Sequence, residues 1–228
     1  MHLMSPLQNL LSTSAAPITA AHPRVLPLDR PFEAVPHPLL APVVPRILTV
    51  GGPYQGVLRT AIVEWKEFRW AAATKQFATM IAVAVPFLNV DVPAGGTCLL
   101  VPVPARPATS LARGGDLLWE LARSAATMMG APTRPQRLLR RVGRRDQVGL
   151  SADERMNNAR ASFTSRIARP TNDPVVLVDD VATTGATLAA CATALRCRGW
   201  LVAGAVVLSA TKVRSLKANI SYGGTARD

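Results

Sequence analysis

Acidic residues are scarce in this chain of 228 residues: 14, against 26 lysines and arginines, which leaves a formal net charge of +12. An excess of that size disfavours cationic partners and favours anionic ones, among them phosphorylated metabolites, nucleic acid and an anionic membrane surface. Cysteine is rarer still. Cys98, Cys191 and Cys197 are odd in number and match neither a disulfide framework nor a C-x-x-C zinc half-site, so a reducing cytoplasm is the expected location. The three histidines, His2, His22 and His37, all lie near the N-terminus, which leaves the rest of the chain without an imidazole base. The N-terminus has no basic n-region and no uninterrupted apolar core, because Pro6 and Pro17 bracket a stretch rich in Ser and Thr; a signal peptide and export are not expected. The longest apolar run, residues 77–88, contains Thr79 and Pro86 and falls short of the roughly 20 residues that span a bilayer. It reads as a core helix, with no membrane insertion.

A hydrophobic content of 49% is enough to close the core of one medium α/β domain. Nine of the 19 prolines fall in residues 1–45, which predicts an extended or disordered leader followed by a domain over residues 46–228. Residues 46–50 read as a short strand that ends at Gly51, Gly52 and Pro53. Ala61, Ile62, Trp65 and Phe68 then recur at helical spacing, and Phe77, Ile81 and Val85 continue it in a second helix. Residues 98–103 form a strand, and Leu117, Leu118, Leu121, Ala122 and Ala125 return to helical spacing. Ser151 and Glu154 make a capping box that predicts a helix start. Residues 175–178 are a wholly apolar strand, residues 186–198 a helix closed by Gly199, and residues 201–208 another buried strand. Strand, helix and strand in alternation predict an α/β fold with a parallel sheet flanked by helices, where ligands bind beyond the carboxyl ends of the strands.

The segment that carries chemistry is Val175-Val-Leu-Val-Asp179-Asp180-Val-Ala182-Thr183-Thr184-Gly185-Ala186-Thr187-Leu188. Two carboxylates and a small, hydroxyl-rich loop stand between a buried strand and a helix. Backbone N–H groups at a helix N-terminus and the helix dipole favour an anion, Gly185 permits close approach of the backbone, and the threonine hydroxyls add donors. Ionised Asp179 and Asp180 are pure acceptors, suited to a pair of neighbouring ribose hydroxyls. Together these features describe a cradle for a ribose 5-phosphate. The plainer alternative is that the two acids end a strand and cap the next helix; one acid would suffice for that.

Residues 179–187 resemble the motif with which type I phosphoribosyltransferases bind 5-phosphoribosyl 1-pyrophosphate (PRPP). Further stretches resemble one branch of that superfamily, the ComF family of competence-associated proteins: Pro53-Tyr-Gln-Gly-Val-Leu-Arg59 with Lys66, Val101-Pro-Val-Pro104, Arg113-Gly114, Gln147-Val-Gly-Leu-Ser151 and Glu154-Arg155. The resemblance covers residues 46–212. It implies a type I phosphoribosyltransferase-like sheet in which Asp179 and Asp180 serve catalysis, with Ala182, Thr183, Thr184, Gly185, Ala186 and Thr187 joining them in binding PRPP. It also implies a pyrophosphate-binding turn at Pro104, Ala105 and Arg106, and Mg²⁺ held through PRPP rather than directly by protein. A nitrogenous acceptor, which the sequence does not identify, would displace pyrophosphate. Two departures stand out. Members of that family usually begin with a four-cysteine zinc module, whereas the first 45 residues here contain no cysteine, so no zinc is expected. The family's Arg-Gly-Phe-Asn-Gln reads Arg113-Gly114-Gly115-Asp116-Leu117 here.

Arg134, Arg137, Arg140, Arg141, Arg144 and Arg145 fall within twelve residues that hold no acid. Arg144 and Arg145 could belong to a flexible loop that closes over pyrophosphate. The same run could track a nucleic-acid backbone, or be a solvated face. The resemblance therefore also admits a non-catalytic PRPP-binding adaptor that meets single-stranded DNA or a competence helicase. Lys66 matches a family lysine but reads equally as an ordinary surface lysine of a helix. Cys191 and Cys197, in an alanine-rich helix, read as small buried thiols. Oligomeric state is left open.

Overall fold

The computed structural model describes residues 33–34, 44, 46–105, 114–142, 162–166 and 170–211. Strands β1 (Glu33–Ala34) and β2 (Ile47–Thr49) pair antiparallel at one edge of the main sheet. Helices α1 (Gly56–Phe68) and α2 (Ala71–Ala84) follow, α2 running on into a short 3-10 turn, Val85–Leu88. Strand β3 (Cys98–Pro102), helix α3 (Leu117–Met129) and strand β4 (Thr133–Pro135) come next. Strands β5 (Leu139–Arg141) and β6 (Phe163–Ser165) form a separate antiparallel pair. The chain then builds β7 (Val175–Ala182), α4 (Ala186–Arg196) and β8 (Val202–Ala210).

The six-stranded sheet runs β1-β2-β8-β7-β3-β4, and its last five strands are parallel. Central strands of a parallel sheet are covered on both faces, and residues 175–178 accordingly have no exposure at all. The connection from β3 through α3 leads to β4 on one side, while that from β7 through α4 leads to β8 on the other. Right-handed crossovers in opposite directions set α3 and α4 on opposite faces of the sheet. The strand order reverses between β3 and β7, so the crevice at their carboxyl ends is where such a sheet takes ligands.

Helix α1 buries Ala61, Ile62 and Trp65 of the expected stripe, together with Leu58. The fourth member, Phe68, is 63% exposed and stacks on Trp70, because the helix ends next to it at Arg69, whose left-handed φ of 52° turns the chain into α2. Trp65 is wholly buried edge-on to Phe77, with ring centroids 5.3 Å apart. Its indole N–H donates to Thr74 Oγ1 at 2.8 Å, satisfying the one polar atom that its burial would strand. Helix α2 and the following turn reach 18 residues, long and apolar enough by composition to cross a membrane, with 56% of the stretch buried inside the fold. The apolar stretch thus begins six residues before the run that the sequence suggests, because Ala71 to Ala73 extend the helix without breaking its pattern.

Helix α3 starts at Asp116, whose carboxylate accepts the Trp119 N–H at 3.1 Å. Gly199 follows α4 with a positive φ of 86°, and the Trp200 N–H returns to Leu195 C=O at 3.1 Å, the helix stop expected from the sequence. Two expectations need correction. Strand β7 continues past Val178 to Ala182, because β8 offers it paired backbone as far as Ala210. Cys197 is exposed, since it lies beyond the last buried turn of α4, whereas Cys191 is buried as expected.

Candidate functional site

Because β7 runs on to Ala182, Asp179 and Asp180 are strand residues and their side chains leave the sheet on opposite faces. Asp180 meets α1: its Oδ2 lies 2.7 Å from Lys66 Nζ. Asp179 turns towards the face of α4 and the β5–β6 pair, where the charge of Arg141 and the Cys191 thiol act on the same space. The two acids are joined by the backbone, the Asp180 N–H donating to Asp179 Oδ1 at 2.9 Å.

Burial is the first influence on Asp179, which is 8% exposed. It pushes the carboxyl up to about 8, the neighbouring Asp180 charge adds to the rise, and the Asp180 N–H, Lys66 and Arg141 oppose it. The sequence-based reading treats both acids as ionised acceptors; in the folded protein Asp179 titrates well above the carboxylate range, and a protonated carboxyl can also donate. Cys191 is raised well above an ordinary thiol by burial and by Asp179. That chemistry suits an inert structural thiol rather than a nucleophile.

Beyond Ala182 the chain forms the predicted loop. Thr211 anchors its start, donating its N–H to Ala182 C=O at 2.9 Å and its hydroxyl to Thr183 C=O at 3.1 Å. Thr183, Thr184, Ala186 and Thr187 are exposed, while Ala182 and Gly185 are buried beneath them. Gly185 is the residue before α4 and adopts a left-handed φ of 68°, a conformation that favours glycine. It thereby turns the loop into the helix so that the first N–H groups of α4 face out at the carboxyl edge of the sheet. The Ala186 N–H is only loosely engaged, at 3.4 Å from Thr184 Oγ1. A loop of small residues over a helix N-terminus can receive an anion on backbone donors.

Pro102 is in register with Val178, and the Val103 N–H donates to Val178 C=O at 2.9 Å, so Pro104 and Ala105 leave β3 at the level of Asp179 and Asp180. The two acids, the 182–187 loop, Pro104 and Ala105 thus stand together at the carboxyl edge of the sheet, with Lys66 beside Asp180 on one face and Arg141 acting on Asp179 from the other. Arg106, Arg144, Arg145 and the capping box at Ser151 and Glu154 lie outside the described residues, as do Arg113 and residues 147–150.

Of the described arginines of the basic run, Arg134, Arg137 and Arg140 are exposed, Arg137 lying over the Trp119 ring at 4.3 Å and 3.8 Å from Asp116, whereas Arg141 is partly buried and lies over Phe163 at 4.6 Å. Sequence reasoning gave Lys66 no special weight. Its contact with Asp180 requires the last turn of α1 to reach the carboxyl end of β7, a long-range relation that local spacing cannot reveal. Thr211 carries no local signal either, because its partners lie 28 or more residues away. Compared with known proteins, the chain matches no protein-family model and no curated protein.

Proposed function

We propose that this chain is a type I phosphoribosyltransferase-like protein that binds PRPP at the crevice between β3 and β7 and transfers its phosphoribosyl group to a nitrogenous acceptor. One observation carries the reading: Asp179 and Asp180 stand at the strand-order reversal, followed after Val181, Ala182, Thr183 and Thr184 by a left-handed Gly185 that opens α4. The 182–187 loop is suited to the 5-phosphate and the two acids to the ribose hydroxyls. Pro104 and Ala105 stand where a pyrophosphate would extend along the end of β3.

In the reaction the acceptor nitrogen forms a bond to the anomeric carbon as the bond from that carbon to pyrophosphate oxygen breaks. The departing pyrophosphate keeps the electron pair, and the acceptor's proton passes to solvent or to pyrophosphate. The protein needs no nucleophile of its own; its work is positioning and electrostatic stabilisation. Asp180 places negative charge beside the sugar as it becomes cationic, and Asp179 adds to it in its deprotonated form. Lys66 holds Asp180 in place and keeps the pair from repelling an anionic ligand. Carboxylate and hydroxyl oxygens are the donors that Mg²⁺ takes, so these acids fit a magnesium held mainly through the ribose hydroxyls and pyrophosphate; when bound, it would offset the pyrophosphate charge.

The test is a calorimetric titration of the full chain with PRPP and Mg²⁺, set beside the Asp179→Asn/Asp180→Asn double variant. Saturable binding by the wild type that the variant loses supports the site and leads to a screen of acceptors for pyrophosphate release. Absence of binding by folded wild type would overturn the proposal.

A further inference from the structure

Helices α2 and α3 pack together along the sheet but leave between them an open cleft of about 570 Å³, within the size range of small-molecule sites. Its walls include Arg69, Lys75, Glu120, Arg123 and Ser124, and Met128 contributes an apolar surface. None of these residues belongs to the crevice between β3 and β7.

The charges do not cancel. Glu120 is paired with Arg69, which reaches it from the end of α1. Gly115 makes room for that reach: a Cβ at this position would lie 3.2 Å from the Arg69 guanidinium. Lys75 on α2 and Arg123 on α3 are both exposed and have no carboxylate partner among the described residues. They face the same space from opposite walls. Next to Arg123, the partly buried Ser124 supplies a hydroxyl to the same wall. With Glu120 neutralised, the cleft presents two positive charges and a hydroxyl beside a methionine.

We infer that this cleft binds a small phosphate monoester, at a site separate from the crevice between β3 and β7. A dianion matches two uncompensated cations, whereas a single carboxylate would leave one unmatched. Arg123 offers a planar fork for two phosphate oxygens and Lys75 a compact charge opposite it. Met128 covers the carbon skeleton of the ester. The inference stands whether or not PRPP occupies the other crevice.

Glycerol 3-phosphate is the probe, titrated into full-length protein carrying methyl-labelled methionine, with the Met128 signal assigned through Met128→Leu. A saturable shift of the Met128 methyl is expected, unchanged in Asp179→Asn/Asp180→Asn. Its apparent Kd should rise roughly tenfold or more in Lys75→Gln/Arg123→Gln, since each charged hydrogen bond to phosphate is lost. Glycerol at the same concentrations should leave the signal in place. No shift with glycerol 3-phosphate, a shift indifferent to the loss of Lys75 and Arg123, an equal shift with glycerol, or a shift abolished by the double aspartate variant would each overturn the site. Because the readout belongs to α3, its failure is distinct from failure of the PRPP titration.

Discussion

Lys66 Nζ lies 2.7 Å from Asp180 Oδ2, and the pair is partly exposed, at 23% and 17% of the two side chains. The lysine comes from the last turn of α1 and the acid from near the end of β7, so the contact ties the helix that follows β2 to the carboxyl edge of the sheet. It also sets a cation beside two adjacent carboxylates, at the point where an anionic ligand would approach.

Replacing Lys66 with Met should therefore separate stability from binding. A partly exposed ion pair contributes about 1 kcal/mol or less, so the melting temperature should fall by no more than a few degrees. PRPP affinity should fall roughly tenfold, because the variant leaves Asp180 uncompensated beside a polyphosphate. Calorimetry and thermal unfolding on the same preparation make the comparison. A large loss of stability with unchanged affinity would assign Lys66 to the scaffold alone.

Asp179 gives the fold a pH signature of defined sign. Its carboxyl is raised from 3.8 to about 8 on folding, chiefly by burial and then by Asp180. The folded state thus holds the proton more tightly than the unfolded state. The stability linked to that proton is fully present below the unfolded value and is lost as pH rises through about 8. Asp173 contributes with the opposite sign: its carboxyl is lowered by the Thr171 hydroxyl and the Thr97 N–H, so its share is lost as pH falls. The difference between wild type and Asp179→Asn isolates the first effect. Urea midpoints at pH 5 and pH 9 should show Asp179→Asn gaining on wild type as pH rises; a constant difference would mean that Asp179 titrates normally.

The indole of Trp65 provides a test of the core. Thr74 Oγ1 is the acceptor for its N–H at 2.8 Å, and Trp65 has no exposure to solvent. Thr74→Val keeps the shape and removes the acceptor, leaving a buried donor unsatisfied at a cost of about 1–3 kcal/mol. Thr74→Ser keeps the oxygen and should cost less. Denaturant midpoints of the two variants decide it, and equal losses would place the cost in the threonine methyl instead.

Much of the architecture was legible because short-range periodicity coincides with long-range burial here. Ala61, Ile62 and Trp65 and the apolar run before Asp179 face the core in the folded protein as their spacing suggests, whereas Phe68, the last of the same stripe, is exposed where α1 ends. The turns on either side of α4 were legible for a different reason: Gly185 and Gly199 stand where the chain takes positive φ, and their residue type announces it. Strand length was harder to read. Asp179 and Asp180 look like the polar end of a strand, but pairing with β8 carries β7 through both acids, and a sequence does not display its pairing partner. The same limit hid Lys66 and Thr211. The basic run left several readings open because charge density along a chain says nothing of direction; β5 alternation with ring stacking leaves Arg140 exposed and draws Arg141 over Phe163.

Gly185 allows the loop and the fold to be weighed against each other. Its φ of 68° lies in the left-handed region, where a Cβ costs about 1–2 kcal/mol. Gly185→Ala should lower stability by about that amount if the loop keeps its shape, or by less if the loop relaxes out of it. In the second case the N–H groups at the start of α4 lose their common direction, and affinity for PRPP should fall by roughly tenfold or more while the melting temperature barely changes. Gly185→Asn is the control, since asparagine tolerates the left-handed region better than alanine and should retain more of both properties. Melting curves and PRPP titrations of the three proteins give the comparison. If affinity is the same in all three, the backbone of the 182–187 loop does not hold the phosphate.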